Sequence, residues 1–98
     1  MRVRSDVVRR LESADAVGLL EEYEGVVLRG AYSARGVYDD RLVGLVARLR
    51  GEPLWLRVLF YSWLDCGSFR AVGRRWGCSV GFVRVHVNGL VRRYRLWF

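Results

Sequence analysis

The sequence predicts an all-α protein, a small helical domain whose C-terminal third is a helix-turn-helix, and three observations predict it. Apolar residues recur at helical spacing along most of the chain. Ser68, Gly77 and Ser79 stand where two consecutive helices would have to start, stop and start again. A length of 98 residues, 52% of them hydrophobic, suits a single modest core. Residues 1–98 are therefore read as one domain, a helical body over 1–65 followed by the helix-turn-helix over 68–96. There is no repeat, low-complexity tract or linker to mark a second domain.

In the body, "SDVVRRLESADAVGLLEEY" sets Val7, Val8, Leu11 and Ala14 at helical spacing behind Ser5, a candidate N-cap, with Asp6 in the first turn. One helix over about 6–23 is expected, with Gly18 as the point where it would be interrupted. "EGVVLRGAYSARGVY" has poor periodicity and three glycines, Gly25, Gly30 and Gly36, so a connector with room for one short helical turn is expected there. "DDRLVGLVARLRG" is a cleaner helix over 40–50: Asp39 can cap it, Leu42, Leu45, Val46 and Leu49 form one stripe, and Gly51 can stop it. A further helix over 53–64 starts at Pro53, which suits the first helical position. From Leu54 to Leu64 it is apolar nearly all round apart from Arg57 and Ser62, the pattern of a helix at the centre of a core. Its Trp55, Phe60, Tyr61 and Trp63 are expected to pack rather than to stack on bases, because stacking aromatics are interleaved with charge on an exposed surface.

The C-terminal third is "SFRAVGRRWGCSVGFVRVHVNGLVRRYR". Ser68 can cap a helix from Phe69 to Trp76 with Phe69, Val72 and Trp76 on its inner side, and Gly77 can end it. Cys78 then turns inward, Ser79 caps the next helix, and Val83, Val87, Leu90 and Tyr94 supply a buried stripe. Gly73 is expected to leave room where the two helices approach, and Gly77 to permit a left-handed turn.

Charge is distributed unevenly. All seventeen basic residues are arginine, and Lys, Ile, Thr and Gln are absent, the bias of a GC-rich genome; the charge is informative, the preference for arginine over lysine is not. Residues 1–65 hold ten arginines and ten acids, whereas residues 66–98 hold seven arginines and no acid, so the whole excess of +7 lies in the helix-turn-helix. Such a one-signed segment attracts a polyanion, and nucleic acid is the expected partner. The side of the second helix that faces outward would present Ser79, Val80, Gly81, Arg84, Val85, Asn88 and Arg92 to a major groove. Arg84 suits a guanine edge and Asn88 an adenine edge. Arg70, Arg74, Arg75, Arg92 and Arg93 are the expected phosphate contacts, which position without reading sequence. Val80, Gly81 and Val85 occupy places where a strong base reader carries polar groups, so specificity would come from few bases, thymine methyls, DNA shape or partner proteins.

At these residues the chain resembles the sigma-factor region 4 type of helix-turn-helix in its spacing from Ser68 to Arg95. More closely, "LDCGSFRAVGRRWGCSVGFVR" with the preceding "DDRLVGLVARLRGEPLWLRVLFYSW" is similar to the bacteriophage late-gene antitermination proteins of the Q family, the lambdoid type without a zinc finger. The family's "C-S-x-G-x-[IV]-R" core falls on Cys78, Ser79, Gly81, Val83 and Arg84. Its "LLE-x-[WY]" start and "YS" and glycine segment fall on Leu19, Leu20, Glu21, Tyr23, Tyr32, Ser33 and Gly36. The resemblance implies a protein that binds double-stranded DNA near a late promoter and engages RNA polymerase paused with its sigma factor. It then travels with the enzyme, beside the nascent RNA, and narrows the RNA exit channel so that a terminator hairpin cannot form. The alternative is a helix-turn-helix regulator or sigma-like factor that does not travel with polymerase. A third reading is a polymerase or anti-sigma binder with the helix-turn-helix as scaffold. A second protomer on the DNA is left open.

Other classes are disfavoured. One histidine, His86, no glycine-rich phosphate loop after a strand and no paired carboxylates in a pocket leave no enzyme to argue for, and no cofactor is expected. Cys66 and Cys78 lack the companions a structural zinc needs and are expected to be buried free thiols, so no metal is expected either. No apolar run approaches the ~20 residues that span a bilayer, and "MRVRSDVVRRLES" breaks into charge too soon for a secretion signal; a cytoplasmic protein of the bacterial host cell, away from membranes, is the expectation. Trp97 and Phe98 are candidates to cover the core or to meet a partner.

Overall fold

The computed structural model describes residues 2–31 and 40–94. They form six α-helices and, among the described residues, no strand: α1 Arg2–Leu11, α2 Ala14–Ala31, α3 Asp40–Leu49, α4 Leu54–Cys66, α5 Phe69–Trp76 and α6 Val80–Tyr94. None of them is long and apolar enough to cross a membrane.

The first expected helix is two. The chain is already helical at Arg2, so Ser5 lies inside α1 rather than at its cap. The break falls at Glu12 and Ser13, where the amides of both close short turns onto the Arg9 and Arg10 carbonyls and the Ser13 hydroxyl accepts from the Ala16 amide at 3.2 Å. This change of direction lets Leu11, at the end of α1, and Ala16, at the start of α2, both bury completely. Gly18 sits uninterrupted inside α2. The expected connector after Tyr23 is helix as far as Ala31, because Ala16, Leu20, Tyr23 and Val27 form a continuous 3.6-period stripe that overrides the glycines. Tyr32, Ser33, Gly36 and Asp39 lie outside the described residues.

The remaining elements differ from expectation only at their ends. Leu45, Val46 and Leu49 of α3 are buried as a stripe. Gly51 follows in an ordinary turn; the left-handed glycines among the described residues are Gly67 and Gly77. Pro53 is the N-cap of α4, with extended backbone at φ −57° and ψ 147°, instead of its first helical residue. The helix runs on to Cys66, where Gly67, at φ 76°, donates its amide to the Trp63 carbonyl at 2.8 Å.

Helix α4 is the hub. It packs on α1, α2, α5 and α6, while α3 covers α2 and α5 lies on α6. Val58, Leu59, Phe60, Tyr61 and Ser62 are consecutive and all buried, as a helix with neighbours on every side must be. One continuous core draws residues from all six helices, including Val7 and Leu11 of α1, Val72 and Trp76 of α5, and Val83, Val87 and Leu90 of α6. Each such side chain contributes roughly 1.5–3 kcal/mol of burial. Trp55 and Trp63 are half-buried against this core, Phe60 and Tyr61 fully buried, so all four aromatics of α4 pack as expected.

Candidate nucleic-acid interface

Helix α5 begins where Ser68, extended at φ −152°, accepts from the Ala71 amide at 3.0 Å. It ends at Gly77, whose left-handed φ of 69° reverses the chain. The amides of Gly77 and Cys78 both turn back onto the Gly73 carbonyl, the latter at 2.9 Å, which closes the end of the helix on that one acceptor. Ser79 caps α6 by accepting from the Phe82 amide at 3.0 Å. Gly73 is needed for the turn itself and not for a crossing of the helices: a Cβ there would stand 2.6 Å from the Cys78 carbonyl oxygen.

The orientation of the pair is set from beneath. Val72 of α5 is fully buried, and the buried Trp76 indole donates to the Ser62 hydroxyl of α4 at 2.9 Å, both groups away from solvent. Val83, Val87 and Leu90 bury one side of α6; Tyr94, the last of that stripe, is only half-buried. On the opposite side Arg84, Val85, Asn88 and Arg92 are exposed, with Val85 61% accessible. Gly81 is half-buried on this same side, and Ser79 and Val80 are exposed at its N-terminal end. Arg84 and Asn88 are four residues apart and so share one face. His86 is half-buried at the flank, its ring edge-on to Trp55 at 5.0 Å and to Phe82 at 4.6 Å.

The arginines divide into two groups. Arg75 reaches the Asp65 carboxylate at 3.3 Å and the Cys66 sulfur at 3.9 Å, and Arg93 bonds both oxygens of Glu52 at 2.8 Å. These two, expected at phosphates, spend their charge on acids of the body and tie the C-terminal end of α5 and the C-terminal end of α6 to it. Arg70, Arg74, Arg84 and Arg92 are exposed, and none pairs with an acid among the described residues. Arg95, Trp97 and Phe98 lie outside the described residues.

Glu52, in the loop before α4, holds the end of α6. The Tyr94 hydroxyl donates to it as well, and that bond, with the Arg93 contact behind it, keeps its carboxyl below the usual carboxylate range. Accepting Tyr94 in turn pushes the Tyr94 phenol up. A depressed acid stabilises the fold above its unfolded pKa and loses that contribution as pH falls; a raised phenol stabilises below its unfolded pKa and loses it as pH rises. Stability from this triad is thus present between about pH 4.5 and 10.0 and declines outside it. Urea midpoints measured across pH for the wild type and Glu52→Gln are expected to differ most in that window and to converge below pH 4.5.

Sequence reasoning missed the acids Glu52 and Asp65 as anchors, and it missed Arg10. The Arg10 guanidinium, on α1, donates to the Trp76 carbonyl through Nε and to the Gly77 carbonyl through Nη2, each at 2.8 Å. Sixty-six residues separate Arg10 from Trp76, and no local pattern signals such a contact. The two cysteines are free but half-buried rather than buried, and burial pushes the Cys78 thiol up. Among the described residues no group of three or more His, Cys, Asp or Glu could hold a metal ion. No protein-family model, no curated protein and no solved structure matches the chain.

Proposed function

We propose that this protein binds duplex DNA through α6, in the manner of a sigma region 4-like helix-turn-helix, and acts on transcription as an antitermination factor. The observation that carries the DNA half is the two-sidedness of α6. Val83, Val87 and Leu90 are buried on one side, and Arg84, Asn88 and Arg92 are exposed on the other, on a helix pair that contains no acid. A helix whose outer side is free and basic fits a major groove, which is wide enough for it. Arg84 takes a guanine edge, Asn88 an adenine edge, and the exposed Val85 a thymine methyl. Arg70, Arg74 and Arg92 take phosphates, and Arg75 and Arg93, already paired, hold the reading helix to the body.

The antitermination half rests on the similarity of the Cys78, Ser79, Gly81, Val83 and Arg84 core, and of the segments before it, to the Q-type proteins of bacteriophages. In that role the DNA site brings the protein to a paused polymerase. Once carried on the enzyme, a small folded domain beside the RNA exit takes up the space a terminator hairpin needs. Its exposed arginines suit both the DNA and the passing RNA.

Transcription in vitro tests this, with purified bacterial RNA polymerase on a template carrying the DNA beside this gene, a promoter-proximal segment and an intrinsic terminator. Readthrough that depends on the protein and on the upstream segment is expected. Arg84→Ala and Asn88→Ala should each reduce DNA affinity ten- to a hundredfold, the ~1–3 kcal/mol of a bidentate base contact, and abolish the readthrough. Unchanged termination with altered initiation would instead identify a regulator that does not travel with polymerase. Absence of DNA binding would remove the proposal as a whole.

A further inference from the structure

We infer that α1 is part of the nucleic-acid interface, with Arg10 as a preorganised phosphate contact at the turn between α5 and α6. This rests on the reading of α6 as the DNA-binding helix. It extends the interface to an element that composition left out, because residues 1–65 carry no net charge.

The argument begins with the end of α5. Carbonyl groups at a helix C-terminus carry a partial negative charge, roughly half an electron. Trp76 and Gly77 place two of them at the turn that leads directly into Ser79 and Val80, where the exposed side of α6 begins. An uncovered C-terminus at that place would repel a DNA backbone lying along the groove edge. Arg10 reverses the sign: its Nε and Nη2 bond the two carbonyls at 2.8 Å and set a full positive charge over them.

Capping uses only part of the guanidinium. Arginine has five N–H donors, and two are engaged, which leaves one on Nη2 and both on Nη1. Arg10 is exposed, and no carboxylate among the described residues pairs with it. Its geometry is also fixed in advance. The two carbonyls hold one edge of the planar fork, and Gly77 gives it space, since a Cβ at that position would lie 3.3–3.5 Å from Nη2, Nε and Cζ. A side chain already ordered by the fold loses little further entropy on binding, so its bond to a phosphate is retained as affinity.

The test is the salt dependence of binding. Full-length protein is titrated against a fluorescein-labelled mixed-sequence duplex about two helical turns long, over a series of salt concentrations, by anisotropy. A phosphate contact is independent of sequence, so the natural site is not needed. Each phosphate neutralised contributes about 0.9 to the slope of log K against log[salt]. Arg10→Gln is expected to lower that slope by about 0.9 and Arg10→Lys to retain most of it; Arg48→Gln, an exposed arginine of α3, is the control expected to match the wild type. Each variant is titrated below its own melting temperature. A wild-type slope in Arg10→Gln would overturn the inference and leave Arg10 as a cap alone. Loss of folding in that variant does not block the test, because the Arg10 Nε–H resonance of isotopically labelled wild-type protein should shift when duplex is added. An unmoved resonance overturns the inference equally. Failure of the wild type to bind any duplex would instead remove the helix-turn-helix reading, and this inference with it.

Discussion

Trp76→Ala is expected to be the most damaging single substitution in the described part of the chain, lowering its stability by about 4–8 kcal/mol. Truncating a buried tryptophan costs about 3–5 kcal/mol in lost burial and cavity formation. A second cost follows here: the Ser62 hydroxyl, wholly inaccessible to solvent, loses the indole N–H that it accepts at 2.9 Å, a desolvation penalty of about 1–3 kcal/mol. A domain of this size has roughly 5–15 kcal/mol in total, so the two costs together remove a large share of it. Trp76→Phe separates them, because it keeps most of the ring and removes the donor. Its urea midpoint should fall less, and a cycle with Ser62→Ala should give a coupling on the order of 1 kcal/mol. Additive effects in that cycle would mean that the buried hydrogen bond contributes nothing specific. Function should follow stability: Trp76 is the last residue of α5, and its bond to Ser62 seats the end of that helix against α4, on which α6 also packs.

The elements most legible in the sequence are those whose ends are set by side chains one to three residues away. Ser68, Gly77 and Ser79 bracket α5 and the start of α6 through local capping bonds and a single left-handed residue, so composition alone predicts them. The same locality explains the failure in α1 and α2. Ser5 and Ser13 are both competent caps, and what selects Ser13 is the burial of Leu11 and Ala16 on either side of the break, a tertiary outcome. The glycines of the stretch after Tyr23 suggested a connector, yet Tyr23 and Val27 continue the buried stripe, and packing outweighed about 1 kcal/mol of helix propensity per glycine. At the candidate interface the exposed side of α6 was readable from its 3.6 periodicity, because its opposite side is apolar. The fate of individual arginines was not. Arg75 and Arg93 look like Arg74 and Arg92 in sequence, and only the fold brings Asp65 and Glu52 to the first pair. Net charge by segment therefore overstates the free charge of the C-terminal third, and it overlooks Arg10, delivered there from the other end of the chain.

Gly73→Ala and Gly89→Ala make the same chemical change with opposite expected signs. Nothing lies within 4 Å of a Cβ built at Gly89, so alanine there is expected to raise stability by about 0.5–1 kcal/mol through helix propensity alone. At Gly73 the added methyl would meet the Cys78 carbonyl oxygen at 2.6 Å, well inside any real contact. The carbonyl cannot withdraw freely. Its own residue donates an amide to the Gly73 oxygen at 2.9 Å, so the two backbones are locked together at the point of the clash. Overpacking of this kind costs roughly 1–3 kcal/mol, which exceeds the propensity gain, and a net loss on the order of 1–2 kcal/mol is expected in urea unfolding. The larger effect falls on binding. Relief of the clash must move Cys78, and with it Ser79, the cap that starts α6, so the helix pair changes its relative setting while its side chains stay the same. Duplex affinity is expected to fall more than tenfold in Gly73→Ala even at temperatures where the variant is fully folded, and to be unchanged in Gly89→Ala. Equal affinity in Gly73→Ala and the wild type would show that the turn tolerates the methyl and that the setting of α6 does not depend on it. A drop confined to Gly73→Ala would tie DNA binding to the geometry of the turn rather than to charge, since neither substitution alters a charged group.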